Sequence, residues 1–203
     1  IIFYLFLNIK YKIPIKIIIC IDDKESARLF PLFQTQSSGF AFSNNLIIIN
    51  YNNLYKLGYT LKSIIKHESL HTLMKQNIKS LTTMMITFSN KSLWFSEGVA
   101  IYNQDLVIYT KNEIKEKLIG EKIIYDNKND NIQLNPKNMR LLYSVYYYFI
   151  DYLVDKYGKD KISAYITEML NNYHKSQANY VHVFNEKIQT DINDYSNLLM
   201  TGK

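Results

Sequence analysis

The apolar residues of this chain recur with two different periods, and the change of period divides it. Residues 15–21, IKIIICI, form a β-branched run bounded by Pro14 and by DDK, which predicts a buried strand ending in a turn, with Cys20 a buried apolar member of it. A short helix is expected over about Glu25 to Phe33. In SSGFAFSNNLIIINY two apolar runs flank the turn-forming triplet SNN, so a hairpin is predicted from about Gly39 to Tyr51. Its half GFAF is shorter and more polar at its ends than LIIIN, which makes it the edge strand. From about Thr60 to Ile78 the period lengthens: TLKSIIKHESLHTLMKQNI has neither Gly nor Pro, and Leu61, Ile64, Ile65, Leu70, Leu73 and Met74 follow helical spacing.

A second helix is predicted over about Ser92 to Gln104. Thr110 and Glu113 form a capping box for a helix through KNEIKEKLI, stopped near Gly120. YDNKNDNIQLNPKN, residues 125–138, is the most polar stretch and is expected to be an exposed loop. Helices follow over about Leu141 to Tyr157, ended by Gly158, and over Asp160 to Asn172, with a last pair within Asn179 to Met200. There is no internal repeat and no linker rich in Pro, Gly or Ser. Strands come first and helices second, which is the order of an α+β fold. At 203 residues we expect one domain of two lobes, a sheet lobe with its long helix over 1–78 and a helical lobe over 79–203.

Composition narrows the function classes. With 47% hydrophobic and 21% charged residues the chain has the makings of a folded core. The net charge of +6 is a Lys excess scattered along the chain, while Arg, the usual residue of phosphate recognition, occurs only as Arg28 and Arg140. That distribution describes a solvated surface, and no nucleic-acid partner is expected. The opening IIFYLFL is apolar over seven positions, against the roughly 20 needed to cross a bilayer, so no membrane span is expected. The chain opens on Ile, as an excised domain or a processed product would. A single cysteine, Cys20, excludes an internal disulfide and leaves the compartment open, secreted or cell-surface as readily as cytoplasmic. A monomer is expected.

The chemistry lies in KHESLH. Residues four apart on a helix share a face, so His67 and His71 present their imidazoles to one point, as a single metal ion requires. Glu68 places a carboxylate beside them, and H-E-x-x-H is the arrangement of a zinc metalloprotease helix. A catalytic zinc takes three protein ligands and keeps a fourth position for water. Glu97, in LWFSEGVAIY on the next predicted helix, supplies the third, one Zn²⁺ per chain. The small residues Gly98 and Ala100 beside it are expected to let the glutamate helix approach the histidine helix. His174 and His182, with no carboxylate at ligand spacing, are expected to be surface or packing residues.

KHESLH together with WFSEGVAIY resembles the gluzincins, the thermolysin-like superfamily whose third ligand is a glutamate on a second helix. LLYSVYYYFIDYLVDKYGKDKI is similar to the tyrosine-bearing helix of bacterial gluzincin families and of the peptidase core of clostridial-type collagenases. PIKIIICIDD and GFAFSNNLIII fit the upstream sheet, so the resemblance covers about residues 13–170. It implies a zincin-like fold, with a small mixed sheet ahead of the active-site helix. It also implies peptide hydrolysis, with Glu68 as general base and a tyrosine or histidine of the helical lobe as second donor to the oxyanion. Alignment places Tyr143 there, with Tyr146 and Tyr147 one turn away. In thermolysin an aspartate four residues after the glutamate orients a ligating histidine. Here that position is Ile101, and Asp105 lies a turn further on. Gluzincins hold the peptide as an added strand, a role the resemblance gives to Gly39, Phe40, Ala41 and Phe42. Aminopeptidase relatives grip the substrate's amine with an acidic residue in this neighbourhood, and SSGFAFSNN has none, which favours an endopeptidase acting on peptide or protein substrates.

Two other readings stand beside this one: an inactive zincin-like module that binds a peptide or protein, and a basic surface-binding domain with incidental histidines. An intact Glu68 argues against the first, because a binding module has no use for a general base.

Overall fold

A computed structural model describes residues 9–29, 37–78, 93–104, 108–118, 122–126, 131–135, 138–172, 191 and 194–195. The described elements run β1 (Lys16–Cys20), α1 (Asp23–Leu29), β2 (Gly39–Ala41), β3 (Leu46–Asn50), α2 (Tyr51–Leu57) and α3 (Leu61–Asn77). There follow α4 (Leu93–Asn103), α5 (Lys111–Lys117), β4 (Lys122–Asp126), β5 (Asn131–Asn135), α6 (Met139–Tyr157) and α7 (Lys159–Asn172). The fold is α+β and mostly helical. The last predicted helix pair and His174 and His182 lie outside the described residues. The chain divides into two compact units, one holding β1 to α3 with Asn103 and Gln104, the other holding the rest of α4 and the elements from α5 onward.

In the first unit a three-stranded mixed sheet has the order β1-β3-β2. β3 is central, parallel to β1 and antiparallel to β2, with Phe40 opposite Ile48. Its Ile47 and Ile49 join Leu54 of α2 and Ile64 of α3 in one buried cluster, and Ile48 between them is buried as well, which is why the three central positions of LIIIN are all apolar. Among the described residues β2 is an edge strand, as GFAF predicts. β1 corrects an expectation: of its five residues only Cys20 is buried, and Ile17, Ile18 and Ile19 are about two-fifths exposed at 39%, 37% and 42%. Among the described residues it pairs only with β3, and an apolar run does not by itself distinguish a central strand from a terminal one.

α2 lies where only a loop is expected. Asn50 caps it by accepting from the Asn53 amide, and Gly58, at φ 73°, ends it in the left-handed region that favours glycine. α3 then starts at Thr60, whose Oγ1 accepts from the Ser63 amide while Ser63 Oγ accepts from the Thr60 amide. Of its 17 residues 11 are buried, on more than one face, so it is an interior helix. Buried polar groups on it need partners, and Gln76 accepts from the amides of Lys12 and Ile13 and donates to the carbonyls of Ile13 and Asn44. Tyr11 donates to the Ser69 carbonyl, and burial pushes its phenol up to about 12. These bonds fix the helix that carries KHESLH against the hairpin turn and the segment before β1.

In the second unit α5 carries the predicted capping box, with Thr110 and Glu113 bonding each other's backbone amides and the Glu113 carboxyl held below its usual range by them. The loop expected over 125–138 is corrected where the structure describes it: Tyr125 and Asp126 end β4 and Asn131–Asn135 form β5, and the two strands pair antiparallel with Ile124 opposite Gln133, while 127–130 and 136–137 lie outside the described residues. Polar composition hid the alternation, since Asn and Gln complete a backbone ladder as well as any residue. α6 buries Leu141, Val145, Tyr146, Phe149, Ile150 and Leu153 along one stripe and stops at Gly158. Beyond it, buried Asp191 accepts from Lys156 Nζ at 2.7 Å and from the Tyr157 hydroxyl at 2.8 Å. Gly98 of α4 has its open side filled by α6, where an added Cβ would lie 3.1 Å from Ile150 Cγ1 and 3.3 Å from the Tyr146 carbonyl. The expectation that Gly98 serves the approach to the histidine helix is thus corrected: it serves the packing of α4 on α6. Among the described residues no helix is long and apolar enough to cross a membrane.

Candidate active site

His67, Glu68 and His71 all lie buried on α3. Their four-residue period does what helical geometry requires: the His67 and His71 rings meet edge to face, and their Nε2 atoms come to 3.1 Å. Two nitrogens held about 2.0–2.1 Å from one tetrahedral ion sit roughly 3.3–3.4 Å apart, so the pair is within a few tenths of an ångström of the spacing a shared zinc needs. The proton arrangement fits as well. His67 Nδ1 lies 2.9 Å from Gln104 Oε1, and the tautomer that donates to this acceptor is the one whose Nε2 has its lone pair for a ligand.

Gln104 is the residue that sequence reasoning missed. Attention fell on Asp105, which lies outside the described residues, and on Ile101, which is buried and apolar. The available signal was spacing, since Gln104 follows Glu97 by seven residues, two helical turns, and so shares its face of the helix. A neutral amide orients the imidazole as a carboxylate would, without adding charge. Glu97 itself is half-buried on α4. His67, His71 and Glu97 each offer one ligand atom, and these atoms all lie within 4.8 Å of one another, a group that could hold a metal ion.

Glu68 points elsewhere. A Cβ built on Gly39 would lie 3.1 Å from Glu68 Cγ and 3.2 Å from Glu68 Oε1, so the carboxylate sits directly against the backbone of β2. Strand β2 therefore crosses α3 at the general-base candidate, and the crossing needs a glycine for space. Side chains of β2 alternate: Gly39 and buried Ala41 face α3, while Phe40 and Phe42 are exposed at 41% and 47%. Its backbone alternates too. The Asn50 amide donates to Ser38 and the Phe42 amide to Leu46, so positions 38, 40 and 42 bond β3. The amide and carbonyl of Gly39 and of Ala41 thus face away from β3, where the Gly39 carbonyl accepts from Ser37 Oγ and the Ala41 carbonyl from Lys75 Nζ. Of the four residues expected to hold the substrate, Gly39, Phe40 and Ala41 form β2 and Phe42 follows it, and Gly39 lies against Glu68.

Tyr143 is half-buried on α6 with its ring 6.2 Å from that of Tyr146. Tyr146 is fully buried, and Tyr147 packs on Tyr102 at 5.5 Å. Of the three, Tyr146 is a core residue, and only Tyr143 and Tyr147 keep surface.

A family model described as the peptidase MA superfamily matches residues 7–194. No curated protein and no solved structure matches the chain. The match spans nearly the whole sequence and takes in both KHESLH and the glutamate helix. The histidine pair, its metal-compatible neighbour Glu97 and this match agree, and the chain belongs to the peptidase MA superfamily.

Proposed function

We propose that the chain is a zinc-dependent endopeptidase, with His67, His71 and Glu97 as metal ligands and Glu68 as general base. The observation that carries this reading is the convergence of the two Nε2 atoms at 3.1 Å on a helix that also seats Glu68 against an edge strand. A zinc ion on these ligands would polarise both the attacking water and the scissile carbonyl. The chain's own residues supply the rest. Gln104 holds His67 in the tautomer that leaves Nε2 unprotonated. Glu68, acceptor-only when ionised, takes the proton of the attacking water and returns it to the departing amine, so no covalent intermediate is needed. Tyr143 is assigned the second hydrogen bond to the developing oxyanion. The outward amide and carbonyl groups of Gly39 and Ala41 pair with the peptide as an added strand, which brings the scissile bond alongside Glu68.

Purified protein should carry close to one zinc per chain, and it should cleave a quenched peptide blocked at both termini, with activity lost to a chelator and restored by zinc. Full zinc occupancy in a His67→Ala, His71→Ala double variant would overturn the ligand assignment. Cleavage confined to peptides with a free amino terminus would replace endopeptidase with aminopeptidase.

A further inference from the structure

Strand β1 leaves one side of its backbone open. The Lys16 amide donates to the Asn45 carbonyl, and the bonding residue of a parallel ladder alternates, so Lys16, Ile18 and Cys20 bond β3 while Ile17 and Ile19 turn their amides and carbonyls the other way. Among the described residues no strand lies on that side. Its side chains are bare as well: Ile17, Ile18 and Ile19 are each about two-fifths exposed, and Ile21 is 71% exposed. Sheet edges are commonly blunted by charges, a proline or a bulge, yet between Pro14 and Asp22 the one charged residue is Lys16. The β2 edge differs, since its outward carbonyls accept from Ser37 and Lys75. An apolar strand with open backbone groups is a template for another strand.

We propose that the β1 edge is a contact between two copies of this chain, paired antiparallel about a two-fold axis at Ile18, so that the protein forms a weak dimer in place of the monomer expected from its sequence. Placing Ile18 opposite Ile18 sets Ile17 against Ile19 of the second copy. Both carry outward amides and carbonyls, so each such pair exchanges both of its hydrogen bonds and every open group of Ile17 and Ile19 is used. Charge agrees with this direction: Lys16, at the start of the strand, comes to the end that carries Asp22 in the second copy, and the contact recurs across the axis. Other registers fit worse. A shift of one residue opposes open groups to groups already bonded to β3. A shift of two in one direction sets Ile17 against Ile21, whose amide is held by Glu25 Oε2 at 2.9 Å. In the other direction it sets Ile19 against Ile15, which lies outside the strand and packs on the buried cluster. The two-fold contact closes at two copies. It leaves β2, with Glu68 against Gly39, on the outside of the joined sheet. A contact of this length falls below the roughly 1,200 Å² of a standard interface, so the dimer is weak and concentration-dependent. The inference stands apart from the peptidase reading.

Sedimentation equilibrium of the full chain over about 1–300 μM should show a monomer–dimer equilibrium with a dissociation constant of about 10–100 μM, as befits a small interface. Ile18→Lys sets two ammonium groups against each other across the axis and should weaken the dimer about tenfold or more, with thermal unfolding close to wild type. Cysteine cross-linking reads the register. Opposite residues of a non-hydrogen-bonded pair have Cα atoms about 4.5 Å apart, within disulfide reach. Ile18→Cys should therefore cross-link to itself under mild oxidation and Ile17→Cys should not, with wild type, whose Cys20 is buried, as the background. A monomer at every concentration would overturn the proposal and leave the edge to a strand of another origin. Assemblies that grow beyond two copies would overturn it in favour of open-ended edge association. A dimer indifferent to Ile18→Lys, or one cross-linked equally at 17 and 18, would assign the contact to a different surface or register and overturn it as well.

Discussion

Adding one methyl group at Gly39 should damage turnover while leaving the metal ligands untouched. In Gly39→Ala the new Cβ would sit 2.7 Å from Ile64 Cγ1, 3.1 Å from Glu68 Cγ and 3.2 Å from Glu68 Oε1. Real Cβ atoms do not approach carbon to 2.7 Å, so something moves. Ile64 is held in the cluster of Ile47, Ile49 and Leu54, and its Cγ1 is a branch-point neighbour with little freedom of its own. The remaining routes are a shift of β2 away from α3 or a displacement of the Glu68 side chain. Overpacking of this kind costs about 1–3 kcal/mol, which for a chain of this size lowers Tm by roughly 3–10 °C. Misplacing a catalytic group by about 1 Å can cost roughly 10²-fold. A shift of a few tenths of an ångström should therefore lower kcat by about threefold to tenfold, with zinc content unchanged. The assays are thermal unfolding, metal analysis and quenched-peptide kinetics on one preparation. Wild-type Tm and kcat in Gly39→Ala would refute the claim that β2 and Glu68 are in contact.

Gln104→Ala removes the acceptor for His67 Nδ1–H, and zinc affinity should fall about 10- to 100-fold, measured by competition with a chromogenic chelator, with Gln104→Glu restoring most of it. Tyr143→Phe should leave zinc in place and lower kcat by about 10²–10³-fold if its hydroxyl reaches the oxyanion, whereas an unchanged kcat would pass the role to Tyr147. Stability should fall as pH rises above about 10, because burial pushes the Tyr11 and Tyr157 phenols up to about 12 while the unfolded chain releases those protons near 10. With the folded pKa raised, the unfolded state binds fewer protons in this window, so the slope of stability with pH is negative there. Urea midpoints at pH 8 to 11 check it, and Tyr11→Phe should flatten the decline.

What could be read in advance was what is local. The four-residue period of His67 and His71, the Thr110–Glu113 box and the stop at Gly158 are each set by residues within a turn of one another, and each is found as read. Failures fall where a distant partner decides. β1 was expected to be buried, yet whether an apolar run is central depends on which strands flank it. β4 and β5 are held by backbone pairing, which polar side chains do not reveal. α2 is short, and its signals, Asn50 and Gly58, also describe the end of a hairpin. Gln104 meets His67, 37 residues away, a contact that no local pattern announces. Gly98 shows the same limit from the other side: a small residue announces a close approach without saying to which helix.

Turnover of a blocked, quenched peptide by wild type and Glu68→Gln at matched zinc content tests the central claim most directly. Gln keeps the shape of the side chain against Gly39 but cannot take a proton, so folding and metal should be unchanged. The account predicts a loss of about 10²–10⁴-fold in kcat with little change in peptide affinity. Equal rates for the two proteins would contradict it, and would leave the site as a cradle that binds peptides without cleaving them.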